Sequence, residues 1–189
     1  MYEKTFGELD LIDSINIDDV VKTLKENPEL WDIDTFRQRN YRVHKDTQSV
    51  VLIWTENRLP FRRVVNEKIL KLFNPFISKL IPILKNKFKY ENPLVVKLMF
   101  AKLLPKGHII PHLDNGPVLR IPQRIHIPIV TNKDVIATIN GKEFYMETGR
   151  IYNFNNTLMH SVMNNSEEER IHCIIDYTDM EFFEDHKIM

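Results

Sequence analysis

Cysteine is almost missing from this chain: Cys173 is the one thiol in 189 residues. A single thiol excludes an internal disulfide, and no Cys/His spacing around it suits a structural zinc. Inside the apolar run "RIHCIIDY" it reads as a small core residue. Net charge is missing too. Lys plus Arg and Asp plus Glu number 26 each, so no global field draws the chain to nucleic acid or to an anionic membrane. The basic stretches "FRRVV" (61–65) and "KNKFK" (85–89) are short, mixed with apolar residues, and read as solvated helix faces. No run reaches the ~18 apolar residues of a membrane span. The acidic start "MYEKTFGELD" lacks the basic-then-apolar layout of a secretory leader. Internal repeats and low-complexity tracts are absent as well. The expectation is a cytoplasmic protein with neither nucleic acid nor membrane as partner; nothing in the sequence speaks to oligomeric state.

What is present suffices for a core. Hydrophobic residues make up 43% and charged residues 28% of the chain, close to the globular average. The length suits one domain, 1–189, with two differently patterned parts. Residues 1–92 read as a helical or mixed support region. Residues 17–32 are helical up to Asn27-Pro28, with acidic residues near the start. "SVVLIW" (49–54) is a strand bounded by polar residues. Residues 63–73 carry apolar residues at helical spacing, Asn74-Pro75 breaks the pattern, and "FISKLIPILKNKF" resumes it with Pro82 as a second break or kink.

From residue 93 the pattern changes to short apolar runs separated by turns. The runs span 94–104, 108–114, 123–130, 134–140, 142–146, 150–155, 160–164 and 170–178. Asn140-Gly141 between two alternating runs is the strongest hairpin signal. Eight closely spaced strands predict a closed or sandwiched β fold over 93–178, followed by a tail, 179–189. Pro128 inside a strand requires an edge or a bulge.

This strand reading turns several polar residues into outliers. In "PHLDNGP" (111–117), His112 and Asp114 are two apart, so in a strand they share a face. Taken alone, H-x-D reads as a strand end with two solvated polar residues. His160 and Arg170 sit in further apolar runs, as do Arg124 and His126. Two imidazoles and a carboxylate suit a first-row divalent metal. As a facial triad they match non-heme Fe(II) oxygenases, and they equally suit catalytic zinc. A guanidinium within a barrel strand needs an anion. For Arg170 the candidates are a dicarboxylic co-substrate, Asp176, the Glu167–Glu169 run, or solvent.

The joint pattern H-x-D, R-x-H-x-P, G-x-x-Y-x-F-N, H-x-V-x-N and an Arg ten residues beyond the second His resembles the aspartyl/asparaginyl β-hydroxylase family over about residues 93–178. The resemblance implies a mainly β fold with N-terminal helices, whose core is a double-stranded β-helix (jelly-roll, cupin-like). It implies an Fe(II)- and 2-oxoglutarate-dependent dioxygenase that also consumes O2. His112, Asp114 and His160 would bind the iron, and Arg170 would grip the distal carboxylate of 2-oxoglutarate. Arg124 and His126 would lie against co-substrate or substrate carboxylates. Family members that act on epidermal-growth-factor-like domains include some that lack the carboxylate ligand. Asp114 places this chain nearer the bacterial, small-molecule branch, which includes amino-acid hydroxylases. The expected substrate is an amino-acid-like small molecule or a peptide side chain. The competing readings are a metal-binding cupin that binds a small acid or sugar without oxygen chemistry, and a zinc lyase or isomerase.

Ile109, Ile110, Ile125, Ile127 and Phe154 are candidates for the apolar surroundings, half of them facing the pocket by alternation. Arg120, Trp54 and Arg58 are candidates for the substrate wall. His44 reads as a surface residue and His172 as a core or edge histidine that could support Arg170. Asn153 and Asn155 fit either a pocket or a turn, and Asn164 and Asn165 a loop start.

Overall fold

A computed structural model describes residue 4 and residues 6–56 and 62–181. The chain runs β1 (Leu9–Ser14), α1 (Asp18–Glu26), α2 (Leu30–Ile33), α3 (Phe36–Asn40), a 3-10 turn (Arg42–His44), β2 (Thr47–Thr55), β3 (Arg63–Val65), α4 (Glu67–Leu72) and α5 (Asn74–Phe88). Then follow β4 (Pro93–Leu103), β5 (His108–His112), α6 (Pro117–Arg120), β6 (Gln123–Val130), β7 (Val135–Ile139), β8 (Lys142–Phe144), β9 (Arg150–Phe154), β10 (His160–Asn164) and β11 (Arg170–Asp179). The strands form a seven-stranded sheet, β1-β9-β6-β11-β4-β2-β3, and a four-stranded sheet, β5-β10-β7-β8. Every pairing is antiparallel.

All eight expected strands of the second half form. Asn140 and Gly141 both take positive φ, 50° and 78°, the geometry of a tight two-residue hairpin between β7 and β8. Pro128 lies in the sheet interior, but at a bulge. Ile171 pairs with Val130 and His172 with Pro128, so one β6 residue is skipped there. The pairing of β6 with β9 runs from Arg124 to His126 and has ended before Pro128, so its missing N–H costs no ladder bond.

The first half differs from the expected pattern in three places. Arg63–Val65 is a strand rather than the start of a helix. Val64 and Val65 pair with Trp54 and Ile53, and the Asn66 side chain accepts from the Ile69 N–H at 3.3 Å to start α4 after them. Asn74-Pro75 opens α5 instead of separating two segments, because proline at the first turn has no helical bond to lose. The acidic N-terminus contains β1, which pairs with β9, so β1, β2 and β3 all join the larger sheet.

Period-two alternation divides the larger sheet into two faces. On β11, Ile171, Cys173, Ile175 and Tyr177 point toward the helices, and on β6 Ile125, Ile127 and Ile129 do the same. They meet Val20 and Leu24 of α1, Phe73 beside α4, and Phe76, Leu80 and Leu84 of α5 in one buried cluster. Phe73 and Phe100 lie 4.5 Å apart between ring centroids. Each of these side chains contributes roughly 1.5–3 kcal/mol by leaving water. Cys173 is fully buried in the cluster, as its apolar setting predicted. The other face of the same strands carries Arg170, His172, Ile174 and Asp176 on β11, Arg124 and His126 on β6, and Lys97, Met99 and Ala101 on β4. Nearly all of these line a cavity. The core therefore sits behind the sheet, and the polar outliers face the space between the two sheets.

Candidate metal and co-substrate site

Three ligand-type side chains converge at the edge of the smaller sheet. His160 on β10 pairs directly with His112 on β5, and the ring centroids are 4.2 Å apart. Asp114 follows β5 by two residues, held by its backbone N–H on the Asn156 carbonyl at 3.2 Å. Ligand atoms of all three lie within 4.8 Å of one another. His112 Nδ1 lies 2.8 Å from the Ile110 carbonyl and His160 Nδ1 lies 2.8 Å from the Leu158 carbonyl. A carbonyl only accepts, so each Nδ1 carries the proton and each Nε2 presents a lone pair. His112 Nε2 faces Asp114 Oδ1 at 3.8 Å. Burial, then the neighbouring His112, lowers His160 to about 4, which keeps the ring neutral and able to ligate. The donor set therefore fits a divalent first-row metal.

Arg124 is tied to two acids of its own chain. Its Nε donates to Asp176 Oδ1 and its second terminal nitrogen to Asp176 Oδ2, both at 2.8 Å. Its remaining terminal nitrogen donates to Asp114 Oδ2. Burial alone would raise the Asp114 carboxyl, but Arg124, then His160 and the Asn156 amide, hold it well below the usual carboxylate range. Asn156 is fully buried, and its amide nitrogen donates to Asp114 Oδ2 at 3.1 Å and to the Leu119 carbonyl at 2.8 Å. The Lys4 amine donates to the Asn156 side-chain oxygen at 2.5 Å. Burial, then Arg124, lowers this amine to about 7.

Arg170 is in the opposite condition. It is 2% exposed and among the largest fully buried side chains. Among the described residues its hydrogen-bond partner is neutral: a terminal nitrogen donates to His172 Nδ1 at 2.6 Å, and its Nε has no partner there. Burial lowers it to about 9, so it remains charged at neutral pH. Asp176 is taken by Arg124, Glu169 pairs with Lys102 at 2.8 Å, and Glu167 pairs with Lys106 at 2.8 Å. None of the acids weighed from the sequence reaches Arg170. His126 stacks on Phe154 at 4.6 Å and meets His172 between Nδ1 atoms at 3.4 Å; His126 lines the cavity together with Arg170 and His160, and His172 lies behind it. Burial, then Arg170, keeps both His126 and His172 neutral.

These groups share one cavity of about 360 Å³. Ile109 and Phe154 line it while Ile125 and Ile127 lie in the core, as alternation predicted. Trp54 lines it. Arg120 does not; its neighbour Leu119 takes that wall. Arg58 lies outside the described residues. His44, read as a surface residue, is partly buried in the cavity wall, where Arg37 lies 2.9 Å from its Nε2. His172 proves to be both a core histidine and the support of Arg170. Asn153 bonds Gln123 across strands at 2.9 Å, and Asn155 holds the Phe6 and Gly7 carbonyls, so neither enters the cavity. Asn164 anchors its loop on the Leu104 and Glu168 carbonyls. Lys97, Arg37 and Asn156 were not singled out in the sequence. A lysine inside the apolar run "LVVKLMF" was the one available signal.

Several solved structures share this architecture. A prolyl hydroxylase from Trichoplax adhaerens, in complex with a hypoxia inducible factor peptide fragment, is 15% identical with a TM-score of 0.58, covering 94% of this chain and 86% of that one. A Pseudomonas putida prolyl-4-hydroxylase is 11% identical with a TM-score of 0.56, covering 90% and 91%. A 2OG-Fe(II) oxygenase family oxidoreductase from Burkholderia pseudomallei is 14% identical with a TM-score of 0.52, covering 70% and 67%. These likenesses establish the double-stranded β-helix of the 2-oxoglutarate oxygenases. No curated protein matches the sequence. The sequence model of Aspartyl/Asparaginyl beta-hydroxylase matches residues 15–179, and the chain belongs to that family. It is a 2-oxoglutarate-dependent dioxygenase, with Fe(II), 2-oxoglutarate and O2 as its cofactor and co-substrates. Among the described residues, no helix is long and apolar enough to cross a membrane.

Proposed function

We propose that the chain hydroxylates a C–H bond of an amino-acid-like small molecule or a peptide side chain, with His112, Asp114 and His160 holding the iron and Arg170 holding the distal carboxylate of 2-oxoglutarate. One observation carries the reading: a fully buried guanidinium without an acid of its own opens onto the same cavity as the three-ligand cluster. Bound there, iron and 2-oxoglutarate supply the oxidising power for the C–H bond, the co-substrate leaving as succinate and CO2.

The residues of the chain supply position. The Ile110 and Leu158 carbonyls fix the tautomer of both imidazoles, so the nitrogens facing the metal are free to donate. Arg124 and Asn156 orient Asp114 through the oxygen nearest them and leave the other for ligation. His172 aims Arg170, and the apolar side chains Ile109, Val162, Phe154 and Ile174 keep water scarce around the reacting centre. In this reading residues 1–92 support the catalytic strands of 93–178 and close the substrate side. The prolyl hydroxylases among the structural relatives support an amino-acid side chain as substrate. The test is succinate formation by purified protein with iron, 2-oxoglutarate and a panel of free amino acids and short peptides. Stimulation by one of them is expected. Metal-loaded protein that never binds 2-oxoglutarate would refute the reading.

A further inference from the structure

Beyond the co-substrate end, the cavity holds positive charge that the machinery above does not use. Arg37, Lys97, Arg124 and Arg170 line it against two carboxylates, Asp114 and Asp176. Arg124 engages both carboxylates, and Arg170 faces the co-substrate. Lys97 and Arg37 remain. Lys97 is 6% exposed, and among the described residues it has no hydrogen bond and no acid within salt-bridge distance. Its amine lies 4.6 Å over the Trp54 ring. The Arg37 guanidinium lies 6.0 Å from the same ring, so both cations flank one indole. Among the described residues all of Arg37's hydrogen-bond partners are neutral: Ser49 Oγ at 3.0 Å, Met99 Sδ at 3.5 Å and His44 Nε2 at 2.9 Å. Burial lowers Lys97 to about 8 and Arg37 to about 10, so both carry charge at neutral pH. Two sheltered cations facing a cavity without acids of their own fit an anionic ligand.

The ligand's body follows from the rest of the wall. Tyr41, Val43, Met99, Leu113 and Leu119 are apolar or nearly so. The volume of about 360 Å³ is at the lower end of ligand pockets, roughly 300–1,000 Å³, and a five-carbon co-substrate must share it. That leaves room for a small molecule. We propose that the substrate is a small carboxylic acid whose carboxylate sits between Lys97 and Arg37, with its carbon skeleton against Trp54 and directed at His112, Asp114 and His160. This rests on the hydroxylase reading and narrows it.

The test uses the whole chain loaded with manganese(II) under anaerobic conditions at saturating 2-oxoglutarate, which keeps the Arg170 end filled. Benzoate, phenylacetate and 3-phenylpropanoate are titrated calorimetrically beside their primary amides. At least one acid is expected to bind on the order of thirty-fold tighter than its amide, since a desolvated charge partner is lost in the amide. Lys97→Met and Arg37→Met should each weaken that acid by about the same factor, while Lys97→Arg retains binding and 2-oxoglutarate affinity stays unchanged in all three. Arg37 is only partly buried, so Arg37→Met serves if Lys97→Met fails to fold. Acids that bind no better than amides, or variants that bind the acid as the parent does, overturn the proposal and leave the hydroxylase reading standing. Parent protein that does not bind 2-oxoglutarate at all overturns both.

Discussion

At the Arg124 end of the cavity the guanidinium meets carboxylates of the same chain; at the Arg170 end, three same-face positions further along β11, it does not. The two arginines sit in the same sheet, face the same space and are similarly sheltered. Cross-strand register makes the difference. Asp176 stands in register with Lys97 on one side and Arg124 on the other, and both of its oxygens go to Arg124, so the row across β4, β11 and β6 supplies Arg124 with a counter-ion. Arg170 pairs with Leu103, and the next row holds His172 and Ala101, all without an acid. A charge satisfied internally is architecture, and a charge left unsatisfied is an invitation to a ligand. Asp176 cannot serve both, because six residues along a strand span about 20 Å.

His160→Ala should remove bound metal and bring turnover below detection, read by elemental analysis and succinate formation. Arg170→Met should weaken 2-oxoglutarate on the order of a hundredfold, about 3 kcal/mol, with metal content unchanged. The same variant, free of ligands, should unfold at the same or a higher denaturant concentration, because an unpaired buried cation is gone. Asp176→Asn should do the reverse. It leaves Arg124 with the Asp114 carboxylate alone, costs about 2 kcal/mol in urea unfolding, and leaves 2-oxoglutarate binding nearly intact. If both variants lose stability equally, the contrast between the ends fails.

Acid should act on the site in a defined window. His160 and His44 are buried neutral in the metal-free protein, at about 4 and about 3 instead of the ordinary 6.5. Burial is the main cause in both, aided by His112 for His160 and by Arg37 for His44. Folded values below unfolded ones mean that their contribution is complete above pH 6.5 and is lost as pH falls through 4 and then 3. The urea midpoint of metal-free protein should therefore decline from pH 6.5 downward. Metal-loaded protein should hold its midpoint further into acid, until protons displace the metal from His112 and His160. The smallest expected effect lies outside the cavity. Gly141→Val, at φ 78°, should cost about 1 kcal/mol at the β7–β8 turn and leave the affinities at both ends unchanged.

Much of this molecule was legible before its coordinates. The eight strands of the second half announced themselves because alternation and turn chemistry are local: Asn140-Gly141 needs nothing beyond its neighbours to favour a hairpin. His112, Asp114, His160 and Arg170 stood out because each is a polar residue in an apolar run. β1 and β3 did not. They are short, exposed on much of their surface, and stable as strands only through β9 and β2. His44 and Arg37 lie in a segment with no strong periodicity, and nothing local says that it packs over a cavity. Arg120 failed for the complementary reason: a cation in a promising loop turned its back while Leu119 faced inward.

Local pattern alone dictates which residues alternate between core and cavity, and so which polar side chains the folded sheet has to gather on one face. A period of two is a property of the extended backbone and needs no partner strand. Which partners meet on that face is set by the packing of the strands in three dimensions. Arg124 and Asp176 are 52 residues apart in the chain, and register, bulges included, brings them within hydrogen-bonding distance while, among the described residues, Arg170 and Lys97 have no carboxylate at contact distance. Counter-ion choice depends on ångströms across strands, and that distance is written in no local pattern.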